Sequence, residues 1–163
     1  NNAGVHVGKS FTEHSIEDFD RVMRINVSSV FHLSQLAVCH MIQLGRGKIV
    51  NIASLAGLKG SMNSSAYNTS KHAIIGLTKC IALETAKKNI NVNAVCPGIV
   101  ETDIIRNIEK KVVSAGMSSE EFWTSVEAQN PMGRMLQPSE VANIAVFLAS
   151  SESDGMTGQT ITI

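Results

Sequence analysis

Between Ser15 and Leu44, apolar residues recur at helical spacing. Phe19, Val22, Met23, Val27, Val30, Phe31, Val38 and Met41 follow the i, i+3, i+4 rule of a helix. Ser15 is placed to cap the first turn, Asp18 suits the positive helix end, and Gly45-Arg46-Gly47 stops the run. The apolar positions cover much of the circumference, which predicts packing against more than one neighbour. Lys48 to Ser54 then forms a short, nearly continuous apolar run, the mark of a parallel strand covered on both faces. Leu55 to Asn63 is rich in Gly and Ser and reads as a loop. A second long helix opens at Ser64 or Ser65 and runs to about Lys88. A second strand spans Asn91 to Cys96 and ends at Pro97-Gly98. From Ile99 to Leu136 the pattern loosens into charged stretches with Phe122 and Trp123 among them, as in a lid of short helices. Pro138 to Ser150 reads as a third helix, and a last strand begins at Gly158.

Strands alternating with helices predict an α/β fold with a parallel sheet. Three strands make a narrow sheet with an open edge, so the chain is expected to be part of a larger domain. With 163 residues, 44% hydrophobic and 17% charged, it can bury a core. Its 14 basic residues balance its 14 acidic ones, and no basic stripe stands out. Nucleic acid and membrane surfaces are therefore not expected partners. The apolar runs are read as shorter than the ~18 residues that cross a bilayer. Cys39, Cys80 and Cys96 are odd in number and lie in apolar contexts, and are read as buried free thiols. The five histidines make no ligand spacing, and no metal site is expected.

The chemistry concentrates in Tyr67-Asn68-Thr69-Ser70-Lys71. Tyr67 and Lys71 stand one helical turn apart on one face. A lysine ammonium beside a phenol favours the phenolate and would lower the tyrosine pKa. A tyrosine tuned in this way can exchange a proton with a carbinol oxygen. Tyr67 is the only tyrosine in the chain. Ser54 precedes it by thirteen residues, at the C-terminal end of the first strand, where open α/β sheets bind ligands. A hydroxyl there can hydrogen-bond an oxygen on which charge develops.

Together with Asn1-Asn2-Ala3-Gly4, Asn26-Val27, Ile52-Ala53-Ser54, Asn91 to Gly98 with Thr102, Pro131 to Ala149, and Thr157-Gly158-Gln159, these residues resemble the short-chain dehydrogenase/reductase family over essentially the whole chain. The resemblance implies a Rossmann-like, doubly wound parallel sheet, of which residues 1–163 form the C-terminal part, with a substrate lid at about 99–136. It implies an NAD(P)-dependent oxidoreductase that interconverts a carbonyl and a secondary alcohol, either a 3-oxoacyl/3-hydroxyacyl compound or a small ketone. Asn26, Ser54, Tyr67 and Lys71 would be the catalytic residues. Tyr67 would act as general acid and base, Ser54 would orient the substrate oxygen, and Asn26 would hold a water on a proton path from Lys71. Asn2, Ala3, Gly4, Tyr67, Lys71, Pro97, Gly98, Ile99 and Thr102 would contact NAD or NADP. The family also implies a homo-oligomer, tetramer or dimer, in which the long helices pair; separately, a cytoplasmic location is expected.

The family's T-G-x-x-x-G-x-G turn, which holds the pyrophosphate at a helix N-terminus, is absent from these residues. So is the residue that would select NAD or NADP. About three strand–helix units of ~30 residues each would carry them upstream. The chain by itself is therefore expected to be neither stable nor active, and the intact protein to have a mass of roughly 25–30 kDa. The competing reading is a truncated, non-catalytic relative that docks to intact subunits.

Overall fold

The structure, a computed structural model, describes residues 1–163. Helix α1 (Ile16–Met23) and helix α2 (Ser29–Leu44) are joined end to end by a π-helical turn at Arg24–Ser28. The single helix read from the sequence is thus continuous, with one wide turn that contains Asn26. Such turns insert a residue and re-aim side chains, often at functional sites. The Ser15 hydroxyl accepts the Asp18 N–H at 3.1 Å, as expected of a cap, and Gly45 ends α2 at φ +69°. The elements that follow are β1 (Gly47–Ile52), α3 (Ser65–Thr85), β2 (Ile90–Cys96), α4 (Asp103–Ser114), α5 (Ser119–Ala128), α6 (Pro138–Ala149) and β3 (Thr160–Thr162).

The three strands pair in parallel in the order β1-β2-β3, with Gly47 opposite Ile90 and Ala94 opposite Thr160. Along the free edge of β1, the Asn1 amine donates to the Val50 carbonyl at 2.9 Å, and the Ile52 N–H donates to the Asn1 carbonyl at 2.9 Å. One residue bonded between its two neighbours is the parallel ladder pattern, so the chain starts on a fourth strand position. Ile49 of β1 and Ala53 just beyond it point into the core with Val30, Ile74, Ile75, Val92, Ala94 and Cys96 beneath α2 and α3. Asn51 points the same way, and its buried amide is satisfied by Thr78 at 2.9 Å and by Asn1 at 2.8 Å. Lys48 points to the opposite face, where it meets Ser153 and Asp154 just beyond α6. Helices therefore cover both faces of the sheet, as the alternating pattern predicts.

Residues 99–136 form a helical hairpin, α4 and α5. Its two feet are tied by a bridge between Val100 and Leu136. The Ser118 capping box starts α5. Phe122 is buried and the Trp123 indole donates to Glu109 at 2.7 Å. The bonds of Trp123 and Ser119 to Glu109 hold α5 onto α4.

Two sequence readings need correction. Cys39 and Cys80 are exposed, and only Cys96 is buried. The apolar girth of α2 and α3 exceeds what the sheet covers, so part of it faces outward. The run Ile16–Leu44 is also long and apolar enough, by length and composition, to cross a bilayer. Scattered Ser, His and Gln residues hid this by breaking the run into short pieces. Here it packs against α3 and β1 through Val22, Asn26, Val30 and Ser34.

Candidate active site

The C-terminal ends of β1 and β2 open into a cavity of about 540 Å³. Ser54, at the end of β1, and Tyr67 and Lys71, on the first turns of α3, all line it. Asn2 and Gly4 form one wall, and Pro97, Gly98, Ile99 and Thr102 another. Nine residues singled out from the sequence are thus brought together around one space. Ala3 does not line it and lies exposed beside Asn2. Asn26 does not line it either, and stands behind Gly4.

The Ser54 hydroxyl accepts the Ala56 N–H at 3.1 Å. That bond uses an oxygen lone pair and leaves the O–H free to donate into the cavity. The Lys71 ammonium, largely buried, donates to the Ile52 carbonyl at 2.9 Å and lies 5.6 Å from the Tyr67 ring centroid. One of its three N–H groups is spent in this way and two remain. Burial lowers the Lys71 pKa to about 8, and the Cys96 thiol below it works weakly in the opposite direction. Burial raises the Tyr67 pKa, offset in part by the Ser54 hydroxyl. The sequence predicted the opposite for Tyr67. Burial is the largest cause, and the Lys71 ammonium is bonded to the Ile52 carbonyl, not to the phenol. Tyr67 is therefore a protonated phenol at neutral pH.

The Asn26 side chain is engaged on both sides. Its oxygen accepts the Val5 N–H at 2.8 Å, and its amide donates to the Val5 carbonyl and to Ser70, each at 3.0 Å. It has no side-chain N–H left for a water. Ser70 in turn donates to the Tyr67 carbonyl at 2.7 Å, so Asn26 connects the 4–8 loop to the helix that carries Tyr67 and Lys71. His72 faces away from the cavity and bonds back to the Asn68 carbonyl. Phe122 and Trp123 do not reach the site.

Sequence reading missed the apolar wall that closes this cavity: Ile104 and Ile105 from α4, and Val141, Ala142 and Ala145 from α6. The signal was present for α6, whose small residues at i and i+3 leave a shallow face. For α4 there was none, because its register depends on the hairpin tie.

Residues 1–163 match in full a family model described as enoyl-(acyl carrier protein) reductase. The chain belongs to the short-chain dehydrogenase/reductase family. It is 38% identical to a 3-oxoacyl-(acyl-carrier-protein) reductase, FabG, of Thermotoga maritima, aligned over 100% of this chain and 62% of the relative. It is 35% identical to a D-beta-hydroxybutyrate dehydrogenase of Rhizobium meliloti, over 100% and 64%. Among solved structures, an actinorhodin polyketide ketoreductase with NADPH superposes with a TM-score of 0.92 at 36% identity, over 100% of this chain and 64% of that one. An NAD+-bound xylitol dehydrogenase gives 0.92 at 35% identity, over 99% and 65%. The chain thus spans about three-fifths of the length of the dehydrogenases and reductases it matches.

Proposed function

We propose that the intact protein is an NAD(P)-dependent oxidoreductase that interconverts a carbonyl and a secondary alcohol at the cavity of Ser54, Tyr67 and Lys71. The observation that carries this reading is the convergence of those three side chains at the strand ends, within one apolar-walled space. The relatives named as dehydrogenases and reductases support it.

The residues present fit a nicotinamide cofactor. Gly4 lines the cavity beside Lys71 and carries no side chain, so its backbone is open to close approach. The two free N–H groups of Lys71 suit ribose hydroxyls. Asn2, Pro97, Gly98, Ile99 and Thr102 would hold the nicotinamide end. The cofactor supplies or takes the hydride.

The chain's own residues position the substrate and move the proton. Ser54 donates its free O–H to the carbonyl oxygen and orients it. Tyr67, protonated at neutral pH, delivers its proton to that oxygen as negative charge develops, and takes it back in the oxidation. Lys71 holds positive charge beside the phenol as it ionises. Asn26 is a positioning residue that joins Val5 to the turn below Tyr67. Residues 99–136 act as a lid, since Ile104 and Ile105 face the cavity from a hairpin pinned at Val100 and Leu136. The substrate is a 3-oxoacyl or 3-hydroxyacyl compound or a small ketone. Phe31, Leu36 and Leu83, exposed on α2 and α3, are apolar surface of the kind that pairs between subunits of a homo-oligomer.

The test is to incubate the intact protein with NADH or NADPH and a panel of 3-oxoacyl thioesters, free 3-oxo acids and small ketones. Secondary alcohol should form in step with oxidised cofactor. No alcohol with either cofactor on any member of the panel would overturn the reading.

A further inference from the structure

A second cavity, of about 470 Å³, adjoins the first. Residues 4–8, the Met62–Ser64 loop and α4 enclose it, and Gly4 and Ile104 line both spaces. The His6 ring stands edge-on to Tyr67 with centroids 5.1 Å apart, and its Nε2 lies 3.0 Å from the Ser64 hydroxyl. The two spaces meet at Gly4 and Ile104, so a substrate held at Tyr67 has room to extend past His6.

The lining carries Arg21 and Lys111 and no carboxylate. Neither cation is held by an acid of the protein, whose four ion pairs are those of Lys9, Lys48, Arg106 and Arg134, so both are available to a ligand. Asp103, on the first turn of α4, lies outside this lining, and three other acids near α4 are engaged elsewhere. Glu101 takes Arg106 and Gln137, Glu109 takes Ser119 and Trp123, and Glu121 takes Ser118. Two unpaired cations beside a cavity without acids create a local positive potential. Lys111 is felt at His6, whose pKa is lowered first by burial and then by that charge. Asn63, Ser64 and Asn107 add neutral hydrogen-bonding groups around the same space.

We propose that this second cavity binds an anionic group of the substrate, a carboxylate or a phosphate, with Arg21 and Lys111 as its counter-ions. The proposal rests on the oxidoreductase reading, which puts the reacting carbonyl at Tyr67. It narrows the substrate to a carbonyl or alcohol compound with a negative charge some distance from the reacting carbon. Two sources would satisfy the chemistry: the carboxylate of a small oxo acid, or the phosphate of a phosphopantetheine arm.

The test is calorimetric titration of the intact, cofactor-loaded protein with two matched pairs. One is acetoacetate against methyl acetoacetate. The other is acetoacetyl-phosphopantetheine against acetoacetyl-pantetheine. In one pair the charged probe should bind about tenfold tighter or better, as a charge-assisted contact allows. Lys111→Gln and Arg21→Gln should each erase most of that preference while the neutral probe binds as before. The pair that shows the preference identifies the source of the anion. Equal binding within both pairs, a preference that survives both substitutions, or no binding of any probe would overturn the proposal. Reduction of the neutral probes without charge preference would sink the anion site and leave the oxidoreductase standing. Charge-dependent binding with no reduction of any probe would do the reverse.

Discussion

Asn26 bonds both backbone polar groups of Val5, accepting its N–H at 2.8 Å and donating to its carbonyl at 3.0 Å. A side-chain amide thus does for one residue what a neighbouring strand would do for an extended segment. The bulged turn at Arg24–Ser28 aims it there.

Replacing Asn26 by Ala would leave the Val5 N–H and carbonyl short of partners in a part-buried place, along with Ser70. Loss of about 1–3 kcal/mol in urea unfolding of the intact protein is expected. Turnover should fall as well, because Val5 joins Gly4 of the first cavity to His6 of the second. Unchanged stability would mean that the amide bonds to Val5 are replaced by water at no cost.

Gly57 touches the backbone of α3. A Cβ there would lie 2.7 Å from the Lys71 carbonyl oxygen and 2.8 Å from Ile75 Cδ1. Gly57→Ala must push the 55–57 turn and the helix apart at the residue that holds the ammonium. Destabilisation of about 1–3 kcal/mol is expected, with reduced turnover. Gly60→Ala, which meets nothing within 4 Å, should change neither. Equal effects at the two glycines in the same unfolding and rate measurements would contradict this packing.

Lys71 makes stability depend on pH. Its pKa falls from 10.5 to about 8 on folding. Below pH 8 the lysine is protonated whether folded or unfolded, and the burial cost is felt in full. As pH rises above 8 the folded form loses the proton before the unfolded form does. The unfolded state then binds more protons, so stability rises with pH. Relative to Lys71→Met, the intact cofactor-free protein should gain about 2 kcal/mol between pH 8 and pH 10. The raised pKa of Tyr67 acts later. Its contribution is present below the unfolded tyrosine value of 10 and is lost as pH climbs through the higher folded value. Parallel stability–pH curves for the two proteins would contradict the buried, proton-shedding lysine.

The regular elements were legible because their patterns are local. The apolar spacing of Phe19 to Met41 and the compact run at Ile49 to Ile52 each declare their own period. The site was legible where motif and position coincide, at Ser54, Tyr67 and Lys71. Three features were not. The π-helical turn at Asn26 leaves the apolar spacing nearly undisturbed, so only the fold reveals it. The direction of the Tyr67 pKa depends on how far the fold buries the phenol, and spacing along a helix does not specify that. The cavity wall at Ile104 and Ile105, with Lys111 about two turns further on, depends on how the α4–α5 hairpin is tied at Val100 and Leu136. That tie joins residues far apart in the chain.

The most direct measurement is steady-state turnover of the intact protein carrying Tyr67→Phe, set beside its affinity for cofactor. Removing one oxygen deletes the proposed proton donor and leaves the ring and its edge contact with His6 in place. A drop in kcat of about 10²–10⁴-fold with unchanged cofactor Kd is the predicted result. Turnover within a few-fold of the parent would mean that another group delivers the proton, and Tyr67 would lose its place at the centre of the reaction.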